Sequence, residues 1–514
     1  MKKLTLYFAL LLLMGLLTVR CTNLDEEVYS QMPTDSYGTN EAEINSLIAP
    51  IYTRLRDFNC VGSPAPKENC TDMSVTPTRR GGDWWDGGAY KEMTQGTWNP
   101  KTSAAIRIYN DSYSRITNFN QIAYLIENSK AIPEADKPKY LSQVRAARAM
   151  RYMELIDGYG NVPLVYDFKD LTKPGTKTRK EVYEWTLKEL NEIKDVIRDD
   201  VGAASYGKFT KYSVYFMLAK MYLNAEVWNP TGGTKWQECI NACDVILNSG
   251  KYSLEPNWKE QFSAANDNSK EAILVAVNSI TSSFPSRGYT LHYLDPKALG
   301  LPGSANNGIC ALPDYVKSFD TDDKRYLGSF LIGPMLDPAT GVVITTAHSR
   351  PLIHTVDVTI KYSIDADGWG QVEQEDGARC NKWEFKKGAT AMENDCAIYR
   401  YADVYLMKAE CLVRLGQNNT EATRLINELR KRAFDPALHA TKLKGSVTLD
   451  DIYKERRFEL AWENWGRQDM IRFGTFLNAI PVWRPKALAA TRLLWPIPQT
   501  AIDANPNLTQ NPGY

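Results

Sequence analysis

The stretch Glu455–Gly474 of this 514-residue chain reads Glu-Arg-Arg-Phe-Glu-Leu-Ala-Trp-Glu-Asn-Trp-Gly-Arg-Gln-Asp-Met-Ile-Arg-Phe-Gly. Glu463 precedes Arg467 by four residues, which is the favourable order for an ion pair along a helix. The apolar side chains recur at helical spacing, which predicts an amphipathic helix; they are Phe458, Ala461, Trp462 and Trp465. By itself, the pattern predicts a charged amphipathic helix.

Three further segments have distinctive residue orders. Val144–Val165 carries repeated Arg-Ala pairs followed by Tyr-Gly-Asn-Val-Pro. Tyr399–Glu410 contains Tyr-Ala-Asp-Val-Tyr-Leu-Met-Lys-Ala-Glu, and Leu494–Tyr514 begins Leu-Trp-Pro-Ile-Pro and ends Asn-Pro-Gly-Tyr. Together with Glu455–Gly474, these segments resemble the motifs of the SusD/RagB family, in the same order and over most of the chain.

The resemblance implies both a fold and a function. Members of that family are lipid-anchored, nutrient-binding proteins on the outer surface of Bacteroidetes cells, where they work with a SusC-like TonB-dependent transporter. The implied fold is mainly α, with a scaffold of tetratricopeptide-like helical pairs. Family members often place ligand-binding aromatic residues in an N-terminal loop. The resemblance implies a binding protein, not an enzyme.

The bulk composition is compatible with a protein that binds an uncharged ligand. Lys plus Arg and Asp plus Glu both number 61, so the net charge is zero. Nothing electrostatic therefore indicates a nucleic-acid partner. The chain has 13 Trp, 28 Tyr and 15 Phe, most of which we expect in the core. Aromatic residues in polar, Gly-rich loops are the ones that indicate a binding site.

The N-terminus reads as a targeting segment. Lys2 and Lys3 precede the apolar run Leu4–Val19, which is typical of a secretory signal. Cys21 follows directly, as in a lipoprotein signal in which this cysteine becomes the lipidated first residue. Arg20 stands where a small residue is usual. The alternative is an ordinary secretory signal with an incidental cysteine.

The other eight cysteines permit disulfides in an exported protein. Cys60 and Cys70 bracket a Pro-containing loop and are the first choice for a bridge. Cys239 and Cys243 lie four apart on a predicted helix, which places two thiols on one face. Four His in the chain and the absence of a Cys-x-x-Cys motif argue against a zinc site.

Helical periodicity dominates the chain and divides it into regions. We expect a signal peptide at 1–20, an N-terminal region at 21–250 with a Trp/Gly loop at 59–100, and a C-terminal region at 251–514. The last divides into an irregular part at 251–397, a helical part at 398–476 and a tail at 477–514. The predicted helices cover 106–127, 137–156, 180–197, 210–225, 236–247, 401–415, 420–433 and 449–473, and the predicted strands cover 272–277, 342–346 and 356–362.

Loops on a rigid scaffold are where binding residues usually lie, and the loop Arg79–Tyr90 is the strongest candidate. It reads Arg-Arg-Gly-Gly-Asp-Trp-Trp-Asp-Gly-Gly-Ala-Tyr. Trp84 and Trp85 either anchor this loop in the core or present flat rings to a ligand. Sugar rings pack their C–H faces on indole, and their hydroxyls need polar partners. The residues that would supply those partners are Arg80, Asp83 and Asp86.

The irregular region 251–397 holds further ligand-binding candidates. Trp369 lies in the Gly-rich turn Asp365-Ala-Asp-Gly-Trp-Gly. The same turn has the aspartate spacing of a calcium loop, but Trp369 holds the fifth position, where a liganding oxygen is expected. We therefore expect no cofactor and leave a structural calcium as an alternative. Trp98, in Gly-Thr-Trp-Asn-Pro, is expected to pack in the core; the remaining candidates are His292, Tyr293 and Tyr362.

The sequence carries no common enzyme signature. Gly-x-Ser-x-Gly, His-Glu-x-x-His and Walker motifs are all missing. The predicted function is capture of an oligosaccharide or polysaccharide at the outer membrane, for delivery to the transporter. A surface glycoside hydrolase is the alternative, because that chemistry needs only two carboxylates beside a cleft. The same binding module with a peptide ligand is the third possibility.

Overall fold

The computed structural model describes residues 40–56, 66–279, 286–363 and 369–514. Over these residues the chain is mainly helical. In chain order, α1 to α9 are Glu41–Thr53, Pro66–Asn69, Ala89–Gln95, Ser103–Asn128, Lys137–Gly158, Arg179–Ile193, Lys211–Leu223, Ala225–Trp228 and Trp236–Leu247. The helices α10 to α19 are Ser286–Thr290, Asp295–Ala298, Pro313–Lys317, Arg325–Ser329, Tyr401–Arg414, Asn419–Ala433, His439–Lys442, Leu449–Glu459, Gly466–Arg472 and Gln499–Ala504.

The long helices pack side by side in an array that follows the chain. α4 packs on α5, α5 on α6, and α7 on α9, and α14 joins α9 to α15 and α17. The outer helices of the array bury an apolar stripe, which in α4 includes Ile116, Phe119 and Ile126, while α5 and α7 are buried on nearly all sides. Such stripes at helical spacing are what drives helix packing. The predicted scaffold of helical pairs is confirmed.

The strands are short and form several small sheets. In chain order, β1 to β13 are Ser74–Val75, Thr78–Arg79, Val162–Pro163, Thr176–Lys177, Ala272–Ala276, Cys310–Ala311, Phe330–Leu331, Gly333–Pro334, Ile353–His354, Tyr362–Ser363, Gly370–Val372, Arg379–Cys380 and Cys396–Arg400. β5 pairs antiparallel with β13, and β2 pairs parallel with β11. The strand predicted at 272–277 is confirmed. Those predicted at 342–346 and 356–362 are wrong, since these segments form only isolated bridges and the start of β10.

The single helix predicted over 449–473 is also wrong. α17 ends at Glu459 and α18 begins at Gly466, because Trp462 and Asn464 adopt positive φ angles of 64° and 62°. Two long-range contacts hold this break. The Trp462 indole donates a hydrogen bond to the carbonyl of Ser329 at 3.0 Å, and the backbone N–H of Asn464 donates to the Glu68 carboxylate at 2.7 Å. Tertiary contacts outweigh the local periodicity here.

The ion pair predicted between Glu463 and Arg467 does not form. Glu463 instead accepts from Lys382 at 2.5 Å and from Arg400 at 2.7 Å. Arg467 pairs with Asp157 on α5 at 3.2 Å. Glu463 lies within the break and Arg467 in the first turn of α18, so the two side chains are not one turn apart on a common helix and reach different partners.

Glu459 is the centre of a buried network of ion pairs. Its carboxylate lies 2.7 Å from Arg432, 3.1 Å from Arg400 and 3.1 Å from Arg325, and all four side chains are buried. Burial raises the pKa of Glu459, but the three guanidinium groups outweigh that effect, and the pKa falls from 4.5 to about 2. The network joins α17 to α13, α15 and β13, so it fixes the irregular region on the helical scaffold.

The cysteine predictions have mixed outcomes. Cys239 and Cys243 are buried free thiols on α9, as predicted. Cys70 is also a buried thiol, but Cys60, its predicted partner, lies outside the described residues, as does Cys21.

Within the described ranges, no helix has the length and apolar character needed to span a membrane.

Candidate ligand-binding surface

The loop between β2 and α3 has an unusual backbone. Six of its eight residues from 81 to 88 adopt positive φ angles, and four of the six are glycines. Glycine tolerates this conformation because it has no Cβ. The other two are Trp84 and Asp86, with φ angles of 65° and 42°. Such angles persist in other residue types only where the surroundings enforce them, so the position of Trp84 is set by its contacts.

Arg79 fastens the start of this loop to the irregular region. Its fully buried guanidinium donates to the carbonyls of Asn307 at 3.0 Å, Gly308 at 2.9 Å and Asp376 at 2.7 Å. Bonds from a charged donor are stronger than those between neutral groups. The Gly-rich loop therefore starts from a fixed point.

The Trp84 indole lies half-buried against the segment that follows α11. Its Nε1 donates to the carbonyl of Asn306 at 2.6 Å. The ring also contacts Tyr90, at 5.6 Å between centroids, and Tyr289, at 6.0 Å. A Cβ built on Gly308 would lie 2.7 Å from the indole, so the ring fits closely over that glycine. We call Trp84, Tyr90 and Tyr289 the Trp84 platform; all three rings are partly exposed.

Trp85 is the anchor of the loop. It is half-buried and packs against a small apolar cluster that includes Val75, Val372 and Trp483. The sequence left two roles open for these adjacent indoles, anchoring the loop and presenting a ring to a ligand, and each residue fits one of them. Trp84 sits among other partly exposed rings, while Trp85 covers an apolar cluster.

Polar side chains lie around the Trp84 platform. Asp83 and Asp86 are exposed, and Asp83 accepts a hydrogen bond from the hydroxyl of Tyr293 at 2.6 Å. Burial raises the pKa of Tyr293, and the hydrogen bond to Asp83 raises it further, so the hydroxyl stays protonated and remains a donor. The exposed carboxylates are able to accept hydrogen bonds from ligand hydroxyls.

Arg80 forms a second polar group at the edge of the loop. It pairs with Glu373 at 3.4 Å and lies over the ring of Tyr362 at 5.5 Å from the centroid. Tyr362 is 42% exposed. The guanidinium and the tyrosine ring together offer a second flat surface bordered by hydrogen-bond donors.

Two of the sequence-predicted candidates, and the predicted core residue Trp98, lie in the interior. The expectation of an exposed Trp369 is wrong: the ring is 2% exposed, contacts Trp483 at 5.4 Å and donates to Thr78 at 3.1 Å. Trp369 directly precedes β11, and the parallel pairing of β11 with β2 places its ring in the interior, so Trp369 offers no face to a ligand. His292 is likewise buried, at 3% exposure. Trp98 is fully buried and bonds Tyr514, as its predicted packing role requires.

Sequence reasoning did not select Tyr289, although it completes the Trp84 platform. Tyr289 follows Gly288 in the irregular region, so it carries the same signal as the loop, an aromatic residue beside a glycine. Its proximity to Trp84 depends on a contact across some 200 residues, which no local pattern reveals.

The calcium alternative stays a prediction, because Asp365 and Asp367 lie outside the described residues. Elsewhere in the described part of the chain, no group of three or more His, Cys, Asp or Glu side chains is arranged to hold a metal ion.

Two family models match the chain. The first, described as the SusD family, matches residues 363–487 and 481–514. The second, described as starch-binding associating with outer membrane, matches residues 23–223. The first model covers the Glu455–Gly474 stretch, and the second covers the loop between β2 and α3 that carries Trp84.

Individual relatives agree with these matches. The chain is 26% identical over 469 residues to the starch-binding protein SusD of Bacteroides thetaiotaomicron, covering 84% of this chain and 82% of that one. A SusD superfamily protein from Parabacteroides distasonis has a similar structure, with a TM-score of 0.74 and 20% sequence identity. The match covers 91% of this chain and 99% of that one. The surface glycan-binding protein A of Bacteroides thetaiotaomicron, solved in complex with laminarihexaose, also has a similar structure. Its TM-score is 0.71 and its sequence identity 18%, over 92% of this chain and 99% of that one.

Proposed function

The chain belongs to the SusD/RagB family, and on that premise we propose that it binds a glycan at the outer membrane without cleaving it. The ligand is an oligosaccharide or a polysaccharide. Captured glycan passes to a SusC-like TonB-dependent transporter beside the protein.

The observation that carries this proposal is the Trp84 platform with its polar border. Ligand sites combine apolar and aromatic walls with a few placed polar groups. A pyranose ring fits that description, since its C–H face packs on an indole while its hydroxyls reach Asp83, Asp86 and Arg80. The zero net charge of the chain suits an uncharged ligand.

The relatives support the ligand class. One bears the name of a starch-binding protein, and the structure of another contains laminarihexaose, a glucan oligosaccharide. Both ligands are neutral glucans. A neutral glucan is therefore the first ligand to test.

The lipid anchor and the transporter are the less direct parts of the proposal. A lipid on Cys21 would hold the protein at the membrane surface, next to the mouth of the transporter. Tethering raises the local concentration of captured ligand at the pore. Binding of modest affinity is enough for this role, since the ligand must leave again.

One observation favours hydrolysis as a second candidate. Glu373 and Asp376 lie on one loop and share one neighbour. The Nζ of Lys361 is 4.0 Å from the carboxylate of Glu373 and 3.6 Å from that of Asp376. Burial raises the pKa of Glu373, but Arg350 and other neighbours outweigh it and hold the pKa below 4.5, whereas burial raises the pKa of Asp376. Such a divided pair is typical of a glycosidase acid and its partner. Both carbonyls of the pair, however, accept hydrogen bonds from Arg79, as expected of a structural loop.

Affinity electrophoresis in gels that contain amylopectin, laminarin or other polysaccharides tests the proposal. We expect retardation by at least one polymer and no new reducing ends after prolonged incubation with it. New reducing ends would indicate a hydrolase. Binding of short peptides in calorimetry, with no polymer retarding the protein, would identify a peptide receptor instead.

A further inference from the structure

A second cleft lies among the helices, away from the Trp84 platform. It has a volume of about 540 Å³ and is bounded by α4, α5, α6 and the segment from Tyr166 to Phe168. Clefts of about 300–1,000 Å³ are typical of small-ligand sites. Arg107 lies near Tyr90 at the start of α4, and Tyr124 lies 17 residues further along that helix. At 1.5 Å per residue, about 26 Å separates the two surfaces along the helix axis.

A stacked pair of aromatic rings forms one edge of this cleft. The ring of Tyr166 lies on the indole of Trp185, with centroids 5.6 Å apart and planes inclined by 24°. Tyr166 is 54% exposed, so one face of its ring rests on Trp185 while the other faces solvent. The half-buried indole beneath holds the exposed ring in a fixed orientation, which reduces the entropy lost when a ligand stacks on it.

A second pair of rings also lines the cleft. Tyr124 on α4 and Phe168 lie 5.6 Å apart, and both are partly exposed. The ammonium group of Lys169 lies over the Tyr124 ring at 4.6 Å from the centroid. Tyr124 and Phe168 therefore add apolar surface to the cleft, but Lys169 covers one face of the Tyr124 ring, which leaves Tyr166 as the open flat surface.

The wall between the helices is polar but carries no net charge. Arg145 and Arg148 from α5 both bind the carboxylate of Glu189 on α6, at 2.7 Å and 2.8 Å, and Arg145 also pairs with Glu192. Two positive and two negative groups thus offset one another. Glu127 and Asp167 add two further carboxylates to the lining of the cleft, which disfavour an anionic ligand and are able to accept hydrogen bonds from the hydroxyls of a neutral one.

Arg148 still has hydrogen-bonding capacity on this wall. Its Nη1 donates to Asn120 and to the carbonyl of Tyr166, both at 3.0 Å. Its Nε has no hydrogen-bond partner among the described residues, although the side chain is only 7% exposed. A buried donor without a partner costs free energy, and a ligand hydroxyl in the cleft would supply the missing acceptor.

We propose that this cleft is a second saccharide-binding site, which takes a neutral pyranose unit on the free face of Tyr166, with its hydroxyls toward Arg145, Arg148 and Glu192. The ligand class rests on the proposed function, but the site itself is separate from the Trp84 platform. Two sites on one protein would hold a polymer more tightly than either site alone, by raising the effective concentration at the second.

The test compares wild type, Tyr166→Ala, Trp84→Ala/Trp85→Ala and the triple variant in gels that contain amylopectin or laminarin. We expect Tyr166→Ala to weaken binding of the retarding polymer about three- to tenfold, which is the scale of one lost ring contact. The double variant keeps part of the retardation, and the triple variant loses that remainder. Tyr166→Phe keeps the stacked ring and is expected to bind as wild type does.

Leu171→Ala is the matched control, because Leu171 is 92% exposed and does not line the cleft. Far-UV circular dichroism of each variant shows whether it is folded. Equal retardation of wild type and Tyr166→Ala, together with equal retardation of the double and triple variants, would overturn this second site and leave the Trp84 platform intact. A wild type that neither polymer retards would count against both sites as glucan sites.

Discussion

Glu459→Gln is the change that most severely tests the role of the buried ion network. Glutamine has nearly the same shape as glutamate, so the substitution removes one negative charge and little volume. Arg325, Arg400 and Arg432 then lose their shared partner in the interior. We expect the fold to form but to be much less stable.

Two estimates give a similar size for the loss. Removing one partner of a buried ion pair costs about 3–5 kcal/mol, because it leaves an uncompensated charge. The fall in the pKa of Glu459 from 4.5 to about 2 corresponds to about 3 kcal/mol at neutral pH. Because the folded state holds the lower pKa, this contribution is complete above pH 4.5 and disappears as the pH falls toward 2.

Urea unfolding followed by tryptophan fluorescence measures the effect, since the midpoint falls in proportion to the lost stability when the slope is unchanged. The difference between wild type and Glu459→Gln should shrink below pH 4.5. The matched control is Glu184→Gln, whose exposed pair with Lys180 at 3.9 Å should contribute at most about 0.5 kcal/mol. A loss below about 1 kcal/mol for Glu459→Gln at pH 7 would refute the reasoning.

Two other predictions concern the binding surface and the anchor. Gly308→Ala would place a Cβ 2.7 Å from the Trp84 ring and should lower glycan affinity in calorimetry about tenfold. Gly445→Ala is the control, because a Cβ at that position meets no atom within 4 Å. Equal affinities for the two variants would contradict this placement of Trp84. Cys21→Ser should release the protein from the membrane fraction, and its continued retention there would indicate another anchor.

Local patterns in the sequence predicted the helical scaffold well. Stripes of apolar residues mark α4, α6 and α9, since each of these helices buries one face against its neighbours, whereas α5 is buried on nearly all sides from Ser142 to Gly158. The same reasoning failed between α17 and α18. There, Trp462 and Glu463 bind residues 133 and 63 positions away in the chain, and those contacts interrupt the helix.

The candidate site was predicted only in part, for a related reason. Glycines beside Trp84 indicated a loop able to display a ring, and the structure places that ring partly at the surface. A similar pattern at Trp369 was misleading, because Trp369 directly precedes β11 and the pairing of β11 with β2 places its ring in the interior. Whether a Gly-rich loop displays or buries its indole depends on distant partners, here Asn306 for Trp84 and Thr78 for Trp369.

The most direct test of glycan capture by the Trp84 platform is isothermal titration calorimetry of wild type and Trp84→Ala/Trp85→Ala. The titrant is an oligosaccharide of whichever polymer retards the wild type. We predict saturable binding to wild type, and loss of the stronger part of that binding in the double variant, which keeps at most the weaker binding expected of the Tyr166 cleft, while its circular dichroism stays native. Unchanged affinity in the folded double variant would contradict the assignment of the Trp84 platform, and of the loop that Trp85 anchors, to ligand binding.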